Sequence, residues 1–182
     1  APIRPISLAL AADASFVARS VDVDVKHLEY VLEQAARHKG TAFVEIYQNC
    51  NIFNDGAYEW ATDKSVKTEN VVYLEHGRPL VFGKENNRGI RLNGLAPEVV
   101  DAKTVSPDDL LIHDEKPADP SLAFLLSRMR YPEFPEPMGV FRAVERDVYG
   151  DLVRGQNRDA VARLGAGDLQ HLITGDETWT VE

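Results

Sequence analysis

The clearest periodic signal lies early in the chain. Val25, Leu28, Val31, Leu32, Ala35 and Ala36 fall on one helical face. Asp22 or Asp24 offers the N-cap, Arg37, His38 and Lys39 put positive charge on the last turn, and Gly40 is the expected stop. Ahead of this helix, Ser7 to Ala12 is short, apolar and Ala-rich, suited to a close-packed helix, and Ala14 to Arg19 reads as a short strand. Behind it, Thr41 to Tyr47 is β-branched and aromatic enough to be a buried strand. Strand, helix and strand with short joints predict a parallel crossover with the helix face packed on the sheet. Gln48 to Ala57 then becomes a loop at the carboxyl end of a parallel strand, the edge where open α/β sheets place ligands.

The remainder is more irregular. Val71–Leu74 and Leu80–Phe82 flank Glu75-His76-Gly77-Arg78-Pro79, which predicts a β-hairpin. Lys84 to Gly94 is polar and reads as loop, and Val105 to Pro120, rich in prolines and carboxylates, as a linker or wrapping segment. Asp119-Pro120 starts a helix carrying Leu122, Leu125, Leu126 and Met129 on one face. Pro132, Pro135 and Pro137 end it and force an extended path. The region after about residue 57 is expected to be an extension wrapped over a neighbouring surface, without a core of its own. From Ala143 onward the chain carries eight acidic and four basic residues and reads as a loosely attached tail.

Composition narrows the function classes. The chain has 182 residues, and 20 basic against 29 acidic residues give a net charge of −9. Such an acidic chain is poorly suited to nucleic acid or to an anionic membrane surface. No apolar run approaches the ~18 residues of a membrane span. A single cysteine, Cys50, excludes an intrachain disulfide framework and fits a reducing, cytoplasmic home. The chain opens without Met and runs directly into core-like sequence, which reads as a piece of a longer protein.

Few residues announce chemistry. Cys50 follows the second strand in Tyr47-Gln48-Asn49-Cys50-Asn51-Ile52-Phe53-Asn54-Asp55-Gly56. One thiolate cannot hold a metal alone, so a functional Cys50 needs ligands from elsewhere; otherwise it is a small buried hydrophobe. His27, His38, His76, His113 and His171 form no zinc-ligand spacing. Asn49, Asn51, Asn54 and Asp55 suit a turn. Gly165-Ala166-Gly167-Asp168 imitates a phosphate loop without the preceding strand that such a loop needs.

Specific runs of residues nevertheless resemble one family. Ser7–Ala12, Ala14–Arg19, Gly40–Tyr47 and above all Gln48-Asn49-Cys50-Asn51-Ile52-Phe53-Asn54-Asp55-Gly56-Ala57 are similar to the beta subunit of 2-oxoacid:ferredoxin oxidoreductases of the 2-oxoglutarate type. Pro120–Met129 and Pro135-x-Pro137-Met138-Gly139-Val140 resemble the same subunit's C-terminal region. The resemblance implies an α/β fold: the C-terminal part of a thiamine-diphosphate-binding parallel-sheet domain over 1–57, a family extension with a hairpin, loops and one helix over 58–149, forming an extended C-terminal arm, and an acidic, flexible tail over 150–182. It implies thiamine diphosphate, Mg²⁺ and a [4Fe-4S] cluster in the whole enzyme, most of whose ligands lie outside this chain. Within the chain it assigns no catalytic residue, and Cys50 as a metal ligand, the fourth cluster cysteine; Asn51 stands where the family commonly has Pro. The implied reaction is oxidative decarboxylation of a 2-oxoacid to its acyl-coenzyme A, with electrons leaving singly through the cluster to ferredoxin. The implied partners are the N-terminal half of the subunit, an alpha subunit, ferredoxin, the 2-oxoacid and coenzyme A. The competing reading is a non-enzymatic α/β interaction module that binds a partner subunit.

Overall fold

The computed structural model describes residues 3–179 and Val181. It divides into two units, one running to Arg146 and one beginning at Asp147. The first contains α1 (Pro5–Ala11), β1 (Phe16–Val21), α2 (Val25–Arg37), β2 (Ala42–Tyr47), α3 (Glu59–Thr62), α4 (Lys67–Asn70), β3 (Val71–Leu74), β4 (Val81–Phe82), β5 (Arg88–Asn93), β6 (Ala96–Asp101), α5 (Ser121–Arg128) and β7 (Glu136–Ala143). The second contains α6 (Tyr149–Leu164) and α7 (Leu169–Thr174).

Four strands form one sheet in the order β2-β1-β7-β3. β1 and β2 are parallel, as the strand–helix–strand pattern predicts, with Phe16 opposite Ala42 and Val21 opposite Tyr47. β7 runs antiparallel to β1 and parallel to β3. The sheet is therefore two parallel pairs joined by one antiparallel ladder, rather than wholly parallel. β7 is buried along almost its whole length. Its Gly139 has φ +129°, and a Cβ there would lie 2.8 Å from the Leu74 carbonyl oxygen of β3, so only glycine fits between these strands.

The main core cluster unites segments far apart in sequence. Ile6, Leu10 and Val17 pack with Val72, Leu80, Ile90, Leu126 and Phe141. Residues on both sides of position 57 thus share one interior, and the later ones supply β3 and β7 to the sheet instead of merely covering it.

Several local expectations need correction. Thr41 to Tyr47 is not a buried strand: β2 is the edge of the sheet and its residues are exposed or half-buried. Only part of the predicted α2 face reaches the core. Val31 is fully buried and Ala35 packs beside it, but Val25 and Leu32 are exposed. The sheet ends at β2, leaving the outer part of the apolar arc uncovered. Asp24 is the N-cap of α2 without a side-chain capping bond. Gly40, at φ +132°, lies two residues past the helix cap His38, where a Cβ would collide with the Ser15 hydroxyl.

The expected hairpin over residues 71–82 is absent, because β3 pairs with β7 and β4 with β5. Val71, Val72 and Leu74 are all buried, the signature of a strand covered on both faces rather than an alternating hairpin arm. The polar segment read as loop contains β5. With β4 and β6 it makes a second, antiparallel sheet. Asn93 pairs with Ala96 across Gly94-Leu95, a two-residue connection with positive φ at its first position, as hairpin turns require. The proline-rich segment lies along this sheet through bridges Leu110–Arg91 and Ile112–Pro79. The second unit, which covers the expected acidic tail, carries α6 and α7.

Candidate functional site

The carboxyl end of the β1–β2 pair carries two unlike features, and the first is a buried charge cluster. The parallel register sets Arg19 directly opposite Glu45. Arg19 is 4% exposed. Its Nε donates to Glu45 Oε2 at 2.7 Å, and its Nη1 donates to Glu136 Oε1 and, at 3.3 Å, to the Pro137 carbonyl. The Tyr47 hydroxyl donates to Glu136 Oε1 at 2.9 Å, and the Tyr131 N–H reaches Glu136 Oε2 at 3.2 Å. The guanidinium also lies over the Tyr47 ring, 5.0 Å from its centroid. Burial opposes the Arg19 charge, but Tyr47, Glu136 and Glu45 outweigh it and hold its pKa above the ordinary value. Burial, reinforced by Glu136 and Glu45 against the pull of Arg19, pushes the Tyr47 phenol far up. Tyr47 is thus a neutral hydrogen-bond donor at physiological pH.

This cluster forms one wall of a cleft of about 340 Å³. Tyr58 stacks on Tyr47 with centroids 4.3 Å apart, and Trp60 stacks on Tyr131 at 4.7 Å. Arg4 and Arg130 also border the cleft. An aromatic-walled cleft with cations at its edge suits a planar or anionic ligand.

The second feature is the loop after β2, which presents Cys50. Cys50 and Asn54 form an antiparallel bridge, with the Asn54 N–H donating to the Cys50 carbonyl at 2.9 Å. Asn49 ties the loop by donating to Asp55 Oδ1 at 2.9 Å and accepting from the Gly56 N–H at 2.9 Å. The side chains of Asn49 and Asp55 and the backbone of Asn54 therefore build the turn. Cys50 is an exposed free thiol. The backbone N–H groups of Phe53 and Ile52, with a smaller contribution from Asn54, stabilise the thiolate and hold the pKa below the ordinary thiol value. Ile52 and Phe53 project into solvent, 82% and 88% exposed. An exposed sulfur served by backbone N–H groups suits one thiolate ligand of an iron–sulfur cluster. As the chain's only cysteine, it would require the other three thiolates from outside this sequence.

The remaining expected features are scattered. His38 Nε2 is hydrogen-bonded to the Ser15 hydroxyl at 2.9 Å, and His27 Nδ1 to that of Ser20 at 2.8 Å. His171 lies in α7. Asp168 of the glycine-rich segment accepts the His171 N–H at 3.1 Å and so caps α7. His76 and His113 come together with Asp114 and Glu115 at the base of the second sheet. The sequence reading passed over Arg19, Glu45, Tyr47, Tyr58, Trp60, Tyr131 and Glu136. The available signal was a charge inside each apolar strand: Arg19 ends Ala14–Arg19, and Glu45 interrupts Thr41–Tyr47.

The loop and fold define a class before any individual relative: a mixed α/β subunit presenting one thiolate beyond its parallel strands. Comparison with known proteins relates the chain to subunits named as oxidoreductases. The chain is 40% identical, over its entire length, to the 2-oxoglutarate oxidoreductase subunit KorB of Mycobacterium tuberculosis. It is 43% identical over 53 residues to a 2-oxoacid:ferredoxin oxidoreductase subunit beta from Saccharolobus solfataricus, covering 29% of this chain and 17% of that protein. It is 36% identical over 70 residues to one from Sulfolobus, covering 38% and 23%. No protein-family model matches. The chain is a homologue of 2-oxoacid oxidoreductase beta subunits and corresponds to their C-terminal part. It spans about half the length of the mycobacterial relative (49%). Among the described residues no helix is long and apolar enough to cross a membrane.

Proposed function

We propose that this chain is part of a cytoplasmic 2-oxoacid:ferredoxin oxidoreductase that converts 2-oxoglutarate to its acyl-coenzyme A. Identity of 40% over the whole of this chain to about half of a 2-oxoglutarate oxidoreductase subunit carries the reading. Thiamine diphosphate with Mg²⁺ would support decarboxylation, and a [4Fe-4S] cluster would pass single electrons to ferredoxin. Cys50 is the cluster ligand that this chain contributes. Its loop holds the sulfur outside the packed interior, and the N–H groups of Phe53 and Ile52 stabilise it as a thiolate. The exposed Ile52 and Phe53 side chains would shield a cluster from water. The Arg19–Glu45–Glu136 cluster anchors the strand from which this loop departs and keeps the Tyr47 hydroxyl protonated. The remainder of the beta subunit and an alpha subunit complete the enzyme in this reading.

The test is Cys50→Ser in the intact enzyme. We expect loss of iron and of ferredoxin reduction, with thiamine diphosphate binding retained. Full iron occupancy with undiminished ferredoxin reduction would remove Cys50 from the ligand set. A purified intact enzyme that turns over no 2-oxoacid would sink the assignment of activity.

A further inference from the structure

The turn between β3 and β4 meets the segment that leads from the second sheet toward α5. His76 belongs to the turn, and Asp114 and Glu115 to the facing segment. His76 Nδ1 lies 2.8 Å from Glu115 Oε2 and 3.4 Å from Asp114 Oδ1. One ligand-capable atom from each residue lies within 4.8 Å of the others. The backbone holds the two segments in place. Gly77 N–H donates to the His113 carbonyl at 2.8 Å, and His113 N–H donates to the Arg78 carbonyl at 2.9 Å. Ala143 N–H donates to the Glu115 carbonyl at 2.7 Å, tying the same segment to β7. Behind Glu115 stands the fully buried His113, its Nε2 3.7 Å from Glu115 Oε2 and 2.8 Å from the Val140 carbonyl.

We propose that His76, Asp114 and Glu115 form a binding site for a divalent first-row transition ion. A hydrogen bond between Nδ1 and Glu115 accounts for one of the two carboxylates and leaves Asp114 at 3.4 Å. Nδ1 carries at most one hydrogen, so it cannot bond both carboxylates well, and two negative charges converge on one imidazole. A dication answers both charges and accepts a lone pair from the nitrogen. The spacing also fits: tetrahedral bonds of about 2.1 Å place ligand atoms about 3.4 Å apart. The Nδ1–Oδ1 distance already has this value, the Nδ1–Oε2 pair must open from 2.8 Å to about 3.4 Å, and the two carboxylate oxygens lie within 4.8 Å of each other. One imidazole with two carboxylates favours Zn²⁺, Mn²⁺ or Fe²⁺ over Mg²⁺ and Ca²⁺, which take oxygen ligands. Glu115, with a 14% exposed side chain, forms the inner wall. His76 and Asp114, at 45% and 47%, form the mouth, leaving positions for water. All of β4, β5 and β6 lies between residues 76 and 114, so the ion would clip the base of the second sheet.

The test is Zn²⁺ titration of the metal-depleted full-length protein, beside His76→Ala and Asp114→Asn. We expect a saturable Zn²⁺ equivalent, additional to any held by the cysteines, that raises the melting temperature of the wild type. Each variant should weaken that binding about tenfold or more, since even indirect partners of a ligand are worth 10–100-fold. Co²⁺ in place of Zn²⁺ should give a ligand-field spectrum without thiolate charge transfer, separating this site from any at cysteine. Circular dichroism of the metal-free variants checks folding. Should His76→Ala unfold, the substitution at half-exposed Asp114 decides. Binding unchanged in the variants, thiolate bands only, or no saturable equivalent would overturn the proposal. These outcomes do not depend on oxidoreductase activity.

Discussion

The charge cluster around Arg19 and the loop around Cys50 begin at the same end of the same parallel strand pair, yet they solve opposite problems. Arg19 is buried, and among the described residues it faces Glu45, Glu136, the Pro137 carbonyl and the rings of Tyr47 and Phe141. Cys50 is exposed, its loop closed by its own backbone and Asn side chains, and its sulfur meets only local N–H groups. A buried ionic cluster must be internally complete, because an unpaired charge in the interior is costly. An exposed thiolate carries no such requirement and can be completed from outside. The first feature therefore bears on folding and the second, in the proposed reading, on cluster ligation, and substitutions should separate them.

Arg19→Met would test this contrast most severely. It strands Glu45 and Glu136 without their cation and should cost about 3–5 kcal/mol of folding stability in chemical denaturation. Adding Glu136→Gln should recover part of that loss. A near-neutral Arg19→Met would mean that the cluster is not a folding element. Tyr47→Phe comes next. It deletes the hydroxyl that donates to Glu136 and should cost about 1 kcal/mol, with the ring stacking on Tyr58 retained.

Acid titration probes a third kind of charge, paired but at the surface. Asp13 accepts from Arg146 and Arg142, whose hydrogen bonds lower its pKa from 3.8 to about 2. The folded pKa is below the unfolded one, so its contribution is present above about pH 3.8 and is lost as pH falls toward 2. Asp13→Asn should flatten the decline in melting temperature across this window, and an unchanged slope would show that the pairs do not stabilise the fold. Cys50→Ser should have the smallest effect on stability, with no measurable shift of the denaturation midpoint of the chain. A large shift would make Cys50 part of the fold and erase the contrast with Arg19.

Much of the first unit was legible from local pattern. α1, β1, α2 and β2, the parallel pairing of the two strands, and α5 with its buried Leu126 all follow from short-range apolar spacing. The Cys50 loop was legible because a strand end, turn-forming Asn residues and a family-specific run coincide in ten residues. β5 was not legible, because Arg88-Gly89-Ile90-Arg91-Leu92-Asn93 is mostly polar, has no sustained apolar alternation, and buries only the adjacent Gly89 and Ile90.

What the sequence by itself determined was the set of elements whose local pattern marks them: the periodic helices, the apolar strands and the cysteine-bearing loop. Only the tertiary structure decided that β7 enters between β1 and β3, that β2 is left at an edge, and that Arg19 meets Glu136 from more than a hundred residues away. The reason is physical. Helical and strand periodicity reports which side of a segment avoids water, but not which distant segment covers it. Likewise, a charge in an apolar run signals that a partner is required, while long-range packing alone selects that partner.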